Sequence, residues 1–523
     1  MSASREKKQR QGAGPSEKAL QAGQQQAARK RKTIAYTVIG VVAAALVAAL
    51  LVWNSGFFQG RATAATVGGL KLSTAELSYY YYYARNQYSN TLAMFGGGLD
   101  NTKSDDEQFY NEAENKTLRD YFLETALTSA RQTAALADEA VKNGHTDSEV
   151  QEDLDAEIAY VKNYAGAYGM GYSAYLKAIY GPYMTPSVFE RFTRQTLLAS
   201  LARAEKQDAL SGSYTDADLE AYYGEDNHAD TYDTFEYSYL YFLPETVETK
   251  DKDGNELDED KVNAEKAKAL AAAKSNADEA LAALKDGGKP ADLAKKYDLP
   301  DNAFADHTTS VGSTYINSAF REKLLELKEG ESALVENDEN GYYVITFHGR
   351  ERAETPTKDV RHILARAEHT TDSDGKLVAP TDEAWAAAKE KMDAIVAEFE
   401  GGDKSEDSFA KLANEKSDDG DGTTGGLYPK IDVADGYVPE FLDWIFADGR
   451  KPGDTGVVQH SAEEGATSGY YGYHFMYLVG DNEAKWARDV RTALTSRDLD
   501  AWEEELGSGY EAALADGAKY LGR

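Results

Sequence analysis

Residues 235–347 and 360–479 run through the same series of segments, and a chain that repeats itself in this way is bound to build two copies of one fold. In the first block an aromatic, strand-like stretch at 235–243 leads into a long Ala/Lys-rich helix over 262–284. A short helix around Leu293, a third near Phe320 and a closing strand over 341–347 complete it. In the second block a strand over 360–365 precedes a helix over 381–399 with Thr381 as its cap. Helices over 408–414 and 439–446 and a closing strand over 473–479 follow. Laid side by side, YSYLYF (237–242) falls on VRHILA (360–365), and NGYYVITF (340–347) falls on YGYHFMYL (471–478). Pro356 marks the boundary. Each copy reads as a small α+β unit in which helices cover one antiparallel sheet.

At 523 residues the chain exceeds these two copies, so further domains are expected. Residues 65–72 read as a short hairpin, and Ser73 with Glu76 has the capping-box spacing that starts a helix through the tyrosines at 79–83. Leu118, Phe122, Ala126 and Leu127 recur at helical spacing, as do Phe189, Phe192, Leu197, Leu198 and Leu201. Between them, the tyrosines of 164–181 fit either a peptide-binding surface or a helical core packed with Tyr in place of Leu. The acidic stretch 250–261 is a solvated loop, because Gly254 arrives too early for a calcium-binding loop. After residue 483, Trp486, Val490, Leu494, Trp502, Leu506, Tyr510 and Leu514 recur at fours, which predicts C-terminal helices that dock elsewhere.

Charge divides the chain unevenly. The balance of 56 Lys+Arg against 90 Asp+Glu leaves a net charge of -34, which disfavours nucleic acid as a partner. The first 33 residues nonetheless carry nine Lys/Arg and two acids, and residues 34–53 carry no charge at all. Twenty mostly apolar residues at ~1.5 Å each span a ~30 Å hydrocarbon layer, and the basic residues Arg29, Lys30, Arg31 and Lys32 fix the cytoplasmic end. A cleaved signal ending near Ala62-Thr63-Ala64 is the competing possibility, but its apolar stretch would be shorter and closer to that site. With no cysteine, disulfides, thiolate metal sites and a lipidated cysteine are excluded, so the anchor is the apolar run itself.

Six short strings fall in order over the second copy: Val360-Arg361-His362-Ile363-Leu364, Phe409-Ala410-Lys411-Leu412-Ala413, Ser417-Asp418-Asp419, Thr424-Gly425-Gly426-Leu427, Val438-Pro439-Glu440-Phe441 and Tyr471-Gly472-Tyr473-His474. On these strings the second copy resembles the parvulin family of peptidyl-prolyl cis-trans isomerases. With the helical segment before it, the exported chain is similar to extracytoplasmic foldases of the PrsA and SurA type. The resemblance implies a site of two histidines, His362 and His474, with Asp419 beside them, and a proline cup of Leu427, Tyr437 and Phe441 with Phe446 behind. It also implies C-terminal helices that complete the N-terminal helical domain. No cofactor is expected, and metal binding is disfavoured because the eight scattered histidines contain no His-x-x-x-His pair.

Departures from the family pattern accompany the likeness. The acid usual after Gly-Gly is missing, Tyr437 replaces a common methionine, an extra loop at 461–470 precedes the last strand, and Tyr471 stands where a small hydroxyl residue is frequent. In the first copy Tyr239 falls on His362 and Tyr343 on His474, so that module is expected to keep the fold without the chemistry. Rotation about X-Pro meets a barrier of about 18–20 kcal/mol because amide resonance must be broken, and no covalent bond changes. An apolar cup that removes water, with polar groups facing the twisted imide, favours that geometry over the planar one. Two imidazoles across adjacent strands also fit a structural role in which each satisfies the other.

The expected order is a cytoplasmic tail (1–33), a transmembrane anchor (34–53), a helical SurA-N-like chaperone domain (54–229), a degenerate parvulin-like module (230–352), an isomerase module (353–482) and C-terminal helices (483–523). Such a single-pass cell-membrane protein, with its bulk extracytoplasmic, would assist unfolded or proline-containing exported polypeptides. The alternative is a non-catalytic holding chaperone with both modules as scaffold.

Overall fold

The computed structural model describes residue 30, residues 36–47, and residues 56–522 other than 226, 253, 421 and 464. Of the uncharged run at 34–53, residues 36–47 are helical; the remainder, like the basic tail apart from Lys30, lies outside the described residues. Among the described residues no helix is long and apolar enough to cross a membrane. The chain divides into two compact units, residues 1–210 with 496–523, and residues 211–495.

The first unit opens with the hairpin β1 (Thr63–Val67) and β2 (Leu70–Ser73). Gly68 and Gly69 both adopt positive φ (54° and 83°), which a two-residue turn matched to strand twist requires. Ser73 Oγ accepts the Glu76 N–H while Glu76 Oε2 accepts the Ser73 N–H at 2.6 Å, and this capping box starts α1 (Thr74–Met94). Then come α2 (Leu118–Lys142), α3 (Gln151–Ala167), α4 (Tyr172–Tyr180) and α5 (Pro186–Ser213). Their core joins Leu77, Tyr80, Tyr81, Phe122, Ala126 and Phe192. Tyr81 is fully buried because its hydroxyl donates to Asp105 at 2.7 Å, with Arg85 holding the same carboxylate at 3.0 Å. Of the tyrosines at 164–181, Tyr172, Tyr175 and Tyr180 pack around Leu176, Met184 and Phe189, as a Tyr-packed helical core requires, whereas Tyr164 and Tyr168 are exposed.

The second unit contains the repeat. Its first module runs β3 (Asp233–Phe242), α6 (Glu259–Lys285), α7 (Pro290–Lys296), β4 (Phe304–Val311), α8 (Arg321–Glu326), β5 (Ser332–Glu336) and β6 (Tyr342–Arg352). The second runs β7 (Pro356–Arg366), α9 (Asp382–Gly401), α10 (Glu406–Lys416), β8 (Leu427–Ile431), α11 (Pro439–Ile445), β9 (Thr455–Ser461) and β10 (Tyr471–Ala484). Both are four-stranded antiparallel sheets, ordered β4-β3-β6-β5 and β8-β7-β10-β9. The register repeats too. Tyr239 lies opposite Ile345 and Tyr241 opposite Tyr343, as His362 lies opposite Met476 and Leu364 opposite His474.

Alternation along β7 and β10 sends their residues to two different cores. Ile363, Ala365, Phe475 and Tyr477 meet α9 and α10 through Met392, Phe399, Phe409 and Leu412. Val360, Met476 and Leu478 face the other way, onto Phe441, Trp444 and Ile445 of α11. The outer strands β4, β5, β8 and β9 escaped the sequence expectation, because their polar, half-exposed residues lack the apolar signature of the central pair.

The last helix, α12 (Lys485–Ser508), packs Trp486, Val490 and Leu494 with Leu219 and Tyr232 in the second unit. Its later residues Trp502 and Leu506 pack on Leu136, Ala140 and Leu198 in the first. The helical period predicted through Tyr510 and Leu514 is corrected here: the helix stops at Ser508. Gly507 and Gly509 disfavour its continuation, and β11 (Ala512–Leu514) instead pairs with β1, Ala65 opposite Leu514. The three-stranded sheet β11-β1-β2 satisfies backbone groups that a fraying helix end would leave open.

Candidate active site

His362 and His474 stand on the two central strands of the second module and project to the face covered by α11. Their rings stack at a centroid distance of 4.7 Å, with His362 Nε2 and His474 Nδ1 2.7 Å apart, and both are buried. Asp419 Oδ2 lies 3.5 Å from His362 Nδ1, which is otherwise without a hydrogen-bond partner among the described residues. On the far side, Tyr470 Oη is 3.2 Å from His474 Nε2.

One proton arrangement suits all of these contacts. A carboxylate only accepts, so the His362 Nδ1 beside Asp419 carries its hydrogen and His362 Nε2 is bare. His474 Nδ1–H then donates to His362 Nε2, and Tyr470 O–H donates to the bare His474 Nε2. The chain of donors thus runs from Tyr470 through both imidazoles toward Asp419. Burial holds both imidazoles below the ordinary histidine range, and for His474 the facing His362 and His460 rings lower it further. Burial, with the Asp419 charge, pushes the Tyr470 phenol up to about 12.

The motif Ser417-Asp418-Asp419 is positioned by its own backbone chemistry. Ser417 Oγ accepts the N–H groups of Leu364 and Asp419, each at 3.1 Å, and Asp418 Oδ2 accepts that of Arg366 at 2.9 Å. The first two residues therefore clamp the loop to β7 and leave the third facing the histidines. Gly426 lets β8 approach. Its carbonyl accepts His362 N–H at 2.9 Å, φ is 65°, and a Cβ there would fall 2.2 Å from the His362 oxygen.

The aromatic wall is composed differently from expectation. Phe441 lies 5.5 Å from His362 and 5.9 Å from His474, and Tyr437 packs on Phe441 at 5.3 Å. Phe446 is half-buried at the edge of the same cluster. Leu427 does not join them, because it pairs with Arg361 and so shares that residue's face, away from His362. Its neighbour Tyr428, opposite Val360, takes the position: its ring lies 5.5 Å from His362 and 5.8 Å from Tyr437, and its hydroxyl donates to Asp419 Oδ2 at 2.6 Å. Burial and that carboxylate push the Tyr428 phenol up. Strand alternation carried the signal for this correction; two successive residues of β8 cannot both face the cup. Tyr470 was missed because it belongs to the extra loop, while Tyr471 is buried on the opposite face against Trp385. Among the described residues no group of three or more His, Asp or Glu is placed to hold a metal ion.

The equivalent face of the first module carries aromatic rings in place of the histidines. Tyr241 and Tyr343 stack at 4.0 Å, and Phe320, placed like Phe441, lies 5.1 Å from Tyr343 and 5.9 Å from Tyr239.

Residues 347–463 match the PPIC-type PPIase domain family, a span that includes His362, Asp419 and Phe441 and ends before Tyr470 and His474. The second module is accordingly a parvulin-type domain, with two central histidine strands walled by an aromatic helix. The chain thus carries a peptidyl-prolyl cis-trans isomerase domain of this type. Similar solved structures include the peptidylprolyl isomerase PrsA from Bacillus anthracis, at 17% identity over 42% of this chain and 76% of that one, with a TM-score of 0.19. PrsA from Bacillus subtilis is 17% identical over 47% and 79%, with a TM-score of 0.15. The foldase protein PrsA from Streptococcus pneumoniae is 13% identical over 58% and 88%, with a TM-score of 0.19. No curated protein matches the chain.

Proposed function

We propose that this protein is a membrane-anchored, extracytoplasmic isomerase and chaperone that acts on exported polypeptides. In this reading residues 356–484 turn over X-Pro bonds, the helical segment at 54–229 holds unfolded chains, and residues 233–352 keep the fold without the chemistry. The observation that carries the catalytic part is the linked pair His362–His474, walled by Phe441 and facing Asp419. The proline ring sits against Phe441, Tyr437 and Tyr428, where water is excluded and the charge-separated planar amide is disfavoured. Asp419 and the histidine pair form the polar side that meets the twisted imide. The cavity wall keeps both imidazoles neutral, so the site acts by electrostatic fit and needs no nucleophile.

The anchor rests on the uncharged residues 34–53 behind four consecutive basic residues. Two measurements test the proposal. Isomerisation of X-Pro peptides by the full chain should exceed the uncatalysed rate, and external protease should remove the mass beyond Trp53 from intact cells. An uncatalysed rate would leave a holding protein only, and protection of that mass would overturn the topology.

A further inference from the structure

Between the two modules of the second unit lies a groove of about 560 Å³. One wall is β4, which among the described residues pairs only with β3, so its outer backbone edge faces no strand. Thr309, Ser310 and Val311 of that strand line the groove, and Thr314 and the exposed Tyr315 extend the wall. The opposite wall is Asp435, in the loop between β8 and α11, together with the first turns of α12.

The charges of the second wall cancel. Lys485 Nζ pairs with Asp489 at 2.7 Å, and Arg488 pairs with Asp435 at 2.8 Å and Asp489 at 2.9 Å. With its cations engaged by carboxylates, the groove offers an anion no unbalanced charge. It offers hydroxyl groups and an open strand edge. The ligand that matches both is the main chain of an extended polypeptide, which carries one donor and one acceptor per residue and no charge.

The groove and the cup share a loop. The loop that carries Asp435 carries Tyr437 two residues on, with Tyr437 N–H donating to Asp435 O at 2.8 Å and the Tyr437 ring on Phe441. We propose that the groove holds the stretch of substrate polypeptide flanking the proline, laid as an added strand along β4 while the proline ring occupies the cup. This placement rests on the catalytic reading of residues 356–484. It gives the first module a task in binding that needs no histidines. Three of the eight residues of β4, Thr309–Val311, line the groove over about 10 Å at strand rise, beyond the reach of a proline with only its immediate neighbours.

The experiment compares two proline peptides on the full chain, one with a residue or two on either side of X-Pro, the other longer by about eight residues, the strand length of β4. The longer peptide should gain about tenfold in kcat/KM, through KM. Thr309→Trp and Thr314→Trp, which fill the groove from exposed positions of the first module, should abolish the gain. No gain in the wild type, or an undiminished gain in both filled variants, overturns the proposal. If the wild type turns over neither peptide, the catalytic reading falls separately, and the groove is judged by fluorescence anisotropy of a proline-free extended peptide. Binding weakened by the two Trp variants supports the groove; absent binding, or binding they leave unchanged, overturns it.

Discussion

Tyr428 Oη donates to Asp419 Oδ2 at 2.6 Å while its ring stands 5.5 Å from His362, so one side chain touches the carboxylate and the histidine pair together. A hydrogen bond to a charged group contributes about 1.5–3 kcal/mol, and partial exposure of Asp419 places this one at the low end. Tyr428→Phe keeps the ring and removes the hydroxyl. It should lower kcat/KM about tenfold with a small change in melting, because Asp419 loses its tether. Asp419→Ala should lower kcat about 100-fold while the module still melts cooperatively. Full turnover in Tyr428→Phe would show that the phenol has no positioning role.

The histidine pair calls for a cycle of variants. His362→Phe or His474→Phe alone strands the partner's ring nitrogen in a buried site and should cost about 1–3 kcal/mol of stability as well as activity. The double variant removes both polar partners and should be distinctly less destabilised than the sum of the singles, although inactive. Additive losses in chemical denaturation would mean that the two rings are not coupled.

Acid should destabilise the module through the same pair. Both imidazoles sit below the ordinary histidine value of about 6.5, so the unfolded state binds more protons than the folded state as pH falls below it. Their contribution is therefore complete above that value and is lost progressively on acidification toward the depressed folded values. Melting temperatures across a pH series should drop in that window, and the double Phe variant should flatten this part of the profile. An equal drop in both proteins would assign the acid sensitivity to other groups.

Tyr437 and Phe441 share the cup but not its burial, being 39% and 3% exposed. Tyr437→Ala should raise KM with little effect on stability. Phe441→Ala should cost about 3–5 kcal/mol by leaving a cavity between α11 and the sheet, in addition to its loss of activity. Paired kinetics and denaturation separate the two.

In the first module, Tyr343→Phe should leave isomerase turnover unchanged, since among the described residues its hydroxyl meets only Asn317, at 3.5 Å. Tyr343→Ala should destabilise that module through its stacked partner Tyr241 and neighbour Phe320. A large loss of turnover in Tyr343→Phe would move the chemistry to the wrong-looking copy.

Much of this was written in the chain. The repeat alignment placed Tyr239 on His362 and Tyr343 on His474, and the strand registers agree residue by residue, because period-two alternation and a shared element order are local properties of sequence. Ser73 and Thr381 began the helices they were expected to cap, for the same local reason. Local pattern does not say which face of a strand a residue takes relative to a distant partner, and tertiary pairing settled that: β8 against β7 turned Leu427 away and brought Tyr428 to Asp419. Nor does it say where a loop or a tail comes to rest. The fold of the 461–470 loop carried Tyr470 to His474, and the open edge of β1 took Ala512–Leu514 as a strand where helical spacing alone predicted more helix. Backbone groups must find partners somewhere, and only the assembled structure shows which partner is within reach.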